Sequence, residues 1–279
     1  MTKHHQPIGD ARYDSLAAFF DSLALPAYKS DNYRHVPPLM EGTGHWSPRD
    51  LGHESCHNGR DVRRVMEKGW SEGRDKADKF LGKLGDLGTP MSRRRKLIRG
   101  DHGDTLDIHR VYAGQLDTAW SRAQRRATRA PIRVSICVNN AGLSDVPAHE
   151  LIWRGVCAVA LSDKLESAGY STRLVVGKGG VTCGHGEKIS CRIMVKDFNQ
   201  PLNISTATAV MLPGFMRCLL LAWTATHARH QVSSGISRSH ECNRDAGEIY
   251  IGMAVKCEAT SRAMIEQVIR KLNAGEQAA

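Results

Sequence analysis

The sequence predicts an α/β protein: a three-layer domain over residues 132–279, preceded by a mainly helical, basic region over residues 1–131. Three observations carry this expectation. Composition changes at Pro131, from a polar stretch rich in Gly, His and Arg to one built on apolar runs. Beyond that point short β-branched runs alternate with longer apolar segments of helical length, the pattern of strands separated by helices. Basic residues crowd just before the change. Eleven stand against four acidic between Pro90 and Arg133, so this stretch holds seven of the ten net positive charges of the 279-residue chain.

In chain order, a short helix is expected over 13–25, ended by Pro26. Residues 28–59 read as loop, punctuated by Pro37, Pro38, Pro48 and several glycines. Helical composition returns over 61–84, interrupted by Gly69 and Gly73, with Val62, Val65, Met66, Trp70 and Phe80 as its apolar side. Glycine and proline over 85–90 break it, and the run Ser92-Arg93-Arg94-Arg95-Lys96-Leu97-Ile98-Arg99 follows. Residues 115–129 form the next predicted helix. On it Arg122, Arg125, Arg126 and Arg129 stand at i, i+3, i+4 and i+7, so four guanidinium groups share one face. Like charges so placed cost helix stability unless an anion lies on them. A plain solvated face is the competing reading.

Beyond Pro131, residues 132–138 read as a buried strand and 150–168 as a buried helix stopped by Gly169. Strands follow over 172–176 and 189–196, separated by a glycine-rich turn over 177–186. Two helices, 204–212 and 215–228, are divided by Pro213-Gly214. A strand over 249–253 and a helix over 261–272 complete the pattern, with no internal repeat.

These features bound the function. A pI of about 9.3 favours an acidic partner, most simply nucleic acid. The eight cysteines are scattered without a C-x-x-C pair, which suits a reducing compartment. The opening residues MTKHHQPIGD lack an apolar core, and the longest apolar run, near 216–223, is too short to span a bilayer. A cytoplasmic protein with no membrane partner is expected.

The strand–loop–helix from Arg133 to Tyr170 holds the most suggestive letters. Asn139-Asn140-Ala141-Gly142 matches a tetrapeptide of short-chain dehydrogenases. Those enzymes also need a glycine-rich turn after their first strand, to seat the pyrophosphate, and a Tyr-x-x-x-Lys pair for proton transfer. No tyrosine here has a lysine four residues on, and no strand precedes Gly42 and Gly44. A nucleotide cofactor is therefore not expected.

Residues 132–272 as a whole resemble a von Willebrand factor A-like domain, a Rossmann-like sheet whose first strand ends in a D-x-S-x-S metal loop. More narrowly, GWSEGRDKADKF, GDHGDTLDIHRVYAGQ and WRGVCAVALSDKLESAGY are similar to a bacteriophage and mobile-element protein family of unknown function. That family pairs a helical N-terminal region with a degenerate domain of this type. Aligning Asn139 with the aspartate places Ala141 and Leu143 where the serines would be. Hard cations need several oxygen ligands, usually with a carboxylate among them, so the resemblance implies a degenerate loop with no metal.

Three further groups could bind metal. His53-Glu54-Ser55-Cys56-His57 has the H-E-x-x-H letters of zinc proteases, which require a helix. Asp101, His102, Asp104, Asp107 and His109 form an acidic–histidine knot beside the arginines. His227, His230, His240 and Cys242, with Cys183 and His185, form a late group with poor zinc spacing.

The resulting expectation is a non-enzymatic, phage-type accessory protein without cofactor. It would bind DNA or RNA through Arg93, Arg94, Arg95, Lys96, Arg99, Arg122, Arg125, Arg126 and Arg129. A protein–protein adaptor, for an ATPase or assembly partner, is the alternative. A metal-dependent hydrolase using His53 and His57, or Asp101 and Asp104, is the third class.

Overall fold

The computed structural model describes residues 10–24, 39–42, 46–85, 96–103, 105–124, 132–141, 146–181, 188–227, 238–240 and 245–277. The chain opens with strand β1 (Asp10–Tyr13), helix α1 (Leu16–Ala24), the short helix α2 (Pro48–Leu51), α3 (Gly59–Lys68) and α4 (Ser71–Leu84). Strands β2 (Lys96–Gly100) and β3 (Thr105–Leu106), helix α5 (Ile108–Tyr112), a 3-10 turn (Leu116–Thr118) and β4 (Trp120–Gln124) follow. Then come β5 (Arg133–Asn139), α6 (Ala148–Ser167), β6 (Ser171–Val181), β7 (Lys188–Lys196) and α7 (Ile204–Ala209). A π-helical turn (Phe215–Leu220) runs into α8 (Leu221–His227), and β8 (Arg238–His240), β9 (Ile249–Ile251) and α9 (Glu258–Gln277) end the order.

Two sheets result. The larger has strand order β1-β7-β6-β5-β9, with β8 paired to the far end of β6. Pairs β1–β7, β5–β6 and β5–β9 are parallel, while β6–β7 is an antiparallel hairpin. This is a mixed, mostly parallel sheet flanked by helices, consistent with a Rossmann-like arrangement. Setting aside the short β8, the strands from β5 onward lie in the order third, second, first, fourth, the half-sheet order of doubly wound domains. The small sheet is antiparallel, in order β2-β4-β3.

Register explains the core. Tyr13, Ile193, Val176, Val138 and Ile251 are successive cross-strand partners, so one row of apolar side chains crosses five strands on a single face. Alternation places Thr172, Leu174 and Lys178 on that same face. Helices α1, α6 and α7 pack on the sheet, and α3, α4 and α9 pack in turn against helical segments of that layer. Phe19 of α1 meets Tyr13 edge-on at 5.5 Å. Ser162 of α6 hydrogen-bonds Thr172 at 2.6 Å. Trp223 of α8 donates to the Tyr13 hydroxyl at 2.6 Å, and Cys157 of α6 meets the Ser261 carbonyl of α9 at 3.7 Å. One hydrophobic cluster thus contains Phe19 and Phe80 together with Ile136, Leu161, Phe215 and Ile265, residues from both sides of Pro131.

Among the described residues no helix lines the cleft on the opposite face, and the helices collect on one side of the sheet. The reason is the β6–β7 hairpin, which reverses the chain before it returns to β9. Right-handed crossovers between parallel strands are what force helices to opposite faces, and that return joins antiparallel strands. Helices α6 and α7 can then lie side by side. Gly155 makes this possible, since a Cβ there would sit 2.4 Å from Met211.

Other expectations also shift. β1 arises where the sequence offered no strand signal, because Ala11 and Tyr13 fill the sheet edge beside β7. The single helical stretch over 61–84 divides at Gly69, whose φ of 85° ends α3. The helix expected over 115–129 is a 3-10 turn followed by β4. Arg122 therefore lies in a strand and not on the expected helical face, while Arg125, Arg126 and Arg129 fall outside the described residues. Trp120 and Arg122 alternate with small polar or apolar residues and pair across β2 and β3, and pairing outweighs the helical propensity of the segment.

Candidate functional site

The basic segment forms a small antiparallel module rather than a helix. β2 and β4 pair from Gly100↔Trp120 to Lys96↔Gln124. The chain thus enters at Lys96 and leaves at Gln124 from one end of the ribbon. Arg93-Arg94-Arg95 is joined directly to that entry and Arg125-Arg126 to that exit, although these residues and Arg129 lie outside the described ones. Arg99 is exposed on the ribbon and Ile98 is the register partner of Arg122.

The rest of the module is locally wired. Asp107 N–H donates to the Ala119 carbonyl at 2.8 Å and Gln115 N–H to the Arg110 carbonyl at 2.9 Å. Arg110 is held by Thr118 Oγ1 at 3.1 Å and by Asp107 at 3.5 Å. The module nevertheless leaves large apolar side chains in solvent. Leu106, Ile108 and Leu116 are exposed, and Tyr112 is 84% exposed. Four of the six exposed large hydrophobics of the described chain therefore stand within eleven residues, beside the arginines. Scattered exposed apolar residues need no explanation, whereas a group of them marks a contact surface.

The strand-end corner at Asn139 is closed instead. Asn139, Asn140 and Ala141 are fully buried. Asn139 Oδ1 accepts from the Ala141 N–H at 3.1 Å, and Asn140 Nδ2 donates to the Val210 carbonyl at 2.7 Å. Arg154, nearly two turns into α6 and 1% exposed, donates through Nη1 to the carbonyls of Asn139 at 3.2 Å and Ala141 at 2.7 Å. Burial holds this guanidinium below its usual pKa range, and it stays charged regardless. The residues present do not fit a divalent metal: the carbonyls are taken by a fixed cation, and Asn139 uses its oxygen on the backbone. Leu143 lies outside the described residues. Arg154 was not among the residues the sequence singled out, and its only signal was a charge inside an apolar helical run.

The other candidate ligands do not assemble. His53 and His57 follow the left-handed Gly52 in a non-helical turn, so the shared helical face needed by H-E-x-x-H is missing. His53 Nδ1 contacts Ser55 Oγ at 2.8 Å and its Nε2 lies 3.5 Å from Glu72. Asp101 pairs with His102 at 2.6 Å, and this contact holds its carboxyl below the usual range. Asp104 lies outside the described residues, as do Cys183, His185, His230 and Cys242. His227 is buried, stacks on Trp223 at 4.8 Å and contacts the Trp223 carbonyl through Nδ1. Among the described residues no three His, Cys, Asp or Glu side chains converge on one point. No described helix is long and apolar enough to cross a membrane.

A family model described as a domain of unknown function, DUF7192, matches residues 5–276, nearly the whole chain and both sides of Pro131. No curated protein and no solved structure matches it.

Proposed function

The chain belongs to the DUF7192 family, and we propose from its surface that it is a nucleic-acid-binding accessory protein whose contact site is the module over 96–124 with its flanking arginines. One observation carries the reading: the Lys96↔Gln124 pairing joins two arginine runs to the same end of one ribbon. A two-stranded ribbon is a common means of presenting side chains to a groove. Arginines would contact phosphates, and the exposed Tyr112 supplies a face on which an unpaired base stacks. The mode implies strong salt dependence and weak sequence preference.

Two finer readings support this role. The strand order from β5 to β9 and the reversed strand β7 favour a degenerate von Willebrand A-like domain, with Arg154 standing where the metal would act. The phrases around residues 69–80, 100–115 and 153–170 favour a phage or mobile-element origin, and hence action in the host cytoplasm.

The test is fluorescence anisotropy with single- and double-stranded DNA over a salt series. Binding is expected at low salt, with log K falling linearly against log salt. Changing Arg93, Arg94, Arg95, Arg125, Arg126 and Arg129 to Ala should flatten that slope. No binding at low salt, or an unchanged slope in the variant, sinks the proposal. The adaptor reading rests on Leu106, Ile108 and Leu116, whose exposure suits a protein partner. Affinity capture that survives nuclease treatment and is lost on changing these three to Ser would favour it.

A further inference from the structure

The face of the large sheet opposite the helices carries a cleft of about 490 Å³. Alternation brings Arg12, Arg192, Arg173 and Arg133 to this face from four adjacent strands, above a floor made by Val175 and Met194. At one end the charges are matched. Arg12 forks onto Asp245 at 2.9 and 3.1 Å, and Arg192 bonds Glu248 at 2.6 Å. Ser135 donates to the same Glu248 at 3.0 Å.

The other end is different. Arg173 and Arg133 both lie against the Phe198 ring, at 4.3 and 5.2 Å from its centre. Arg173 is held by Asp197 through Nε and Nη2, at 2.9 and 2.8 Å. Arg133, exposed at the mouth, has no carboxylate within ion-pair distance among the described residues. Ring contact restrains its guanidinium while leaving the fork free, so less ordering is required on binding.

We propose that this cleft binds a small organic carboxylate, with the carboxylate on the Arg133 fork and an apolar body over Val175 and Met194. The planar fork matches a carboxylate in two parallel hydrogen bonds. The Arg133 guanidinium, outside ion-pair contact but near enough to Asp197 to help hold that carboxyl below its usual range, suits a monoanion, and Asp197 disfavours the second charge of a phosphate monoester. The volume lies in the range of small-molecule sites. The site is separate from the basic module and does not depend on nucleic-acid binding.

The experiment is calorimetric titration of the full-length protein with benzoate, benzamide, inorganic phosphate and a nucleoside monophosphate. Saturable binding of benzoate is expected, with benzamide about tenfold weaker or worse for loss of a charge-assisted pair. Arg133→Gln should weaken benzoate by a similar factor. Arg133→Lys, which keeps the charge and loses the fork, should fall between them. Because Arg133 is exposed, a melting curve checks that both variants remain folded. Absence of saturable benzoate binding overturns the proposal, as does equal affinity in Arg133→Gln. Tighter binding of phosphate or of the nucleotide overturns the carboxylate assignment.

Discussion

The sheet-and-helix body and the small three-stranded module use positive charge in opposite ways. In the body, several cations are buried and consumed by the fold itself. Arg154 caps the carbonyls of Asn139 and Ala141. Arg217 donates to the carbonyls of Asp50 and Val146. Lys196 meets Glu166 and the Thr172 carbonyl, each at 2.6 Å. In the module, Arg99 and the neighbouring apolar groups face solvent, and the ribbon end is continuous with further arginines. A buried charge that is fully bonded holds a fold together; one left in water beside an exposed aromatic is available to a partner. Sequence charge alone does not separate these two cases.

The largest effect should come from removing the ribbon-end charge. Replacing Arg93, Arg94, Arg95, Arg125, Arg126 and Arg129 by Ala should lower DNA affinity about a thousandfold at moderate salt, in line with the loss of several phosphate contacts. Thermal stability should hardly change, as seen by calorimetry. The converse experiment is Arg154→Ala. It strips two buried carbonyls of their donor and leaves a cavity, so stability should fall by about 2–4 kcal/mol in denaturant titration. DNA affinity of the folded fraction should be unaffected. If the body variant lost binding and the ribbon variant lost stability, the contrast would be reversed.

A smaller effect is expected at Tyr112. Tyr112→Ala should weaken single-stranded DNA by about 1–3 kcal/mol, the worth of one stacked base, and double-stranded DNA less. Equal losses on both substrates would argue against stacking.

The smallest effect is a pH dependence in the body. Burial pushes the Lys178 ammonium down to about 8, with Thr224 Oγ1 at 3.4 Å as its hydrogen-bond partner among the described residues. Between that value and about 10.4, where the unfolded lysine titrates, the unfolded chain binds more protons, so this group adds stability as pH rises. The buried thiols of Cys56, Cys157 and Cys218 are pushed up to about 12 and act with the opposite sign above about 8.5. The difference between wild type and Lys178→Met isolates the lysine. The variant's relative stability should be greatest below pH 8 and decline above it; a flat difference would mean the ammonium is not burdened by burial.

The helical and strand patterns after Pro131 were readable because β5, α6 and β7 are long, apolar and bounded by Gly or Pro. The position of the helices was not, since it depends on the direction of β7, and the letters of residues 188–196 do not reveal direction. β1 was hidden because Asp10 and Arg12 mask a four-residue edge strand. The module was misread for a related reason. Residues 115–124 have helical composition, and pairing with Lys96–Gly100 and Thr105–Leu106 makes Trp120–Gln124 a strand. The arginines were visible as a cluster, but their geometry was not. At the strand end, Asn139 and Ala141 showed in their letters how few ligands they offer a hard cation, while Arg154, which donates to their carbonyls, lies thirteen positions beyond Ala141.

On the proposed function, nucleic acid meets the module and leaves the body untouched. Amide hydrogen exchange with and without a single-stranded oligonucleotide bearing hydroxyl ends addresses it directly. Protection is predicted over 96–124, with exchange unchanged over β5, β6 and β7. Protection of those sheet strands, with none in the ribbon, would overturn the module as the contact site.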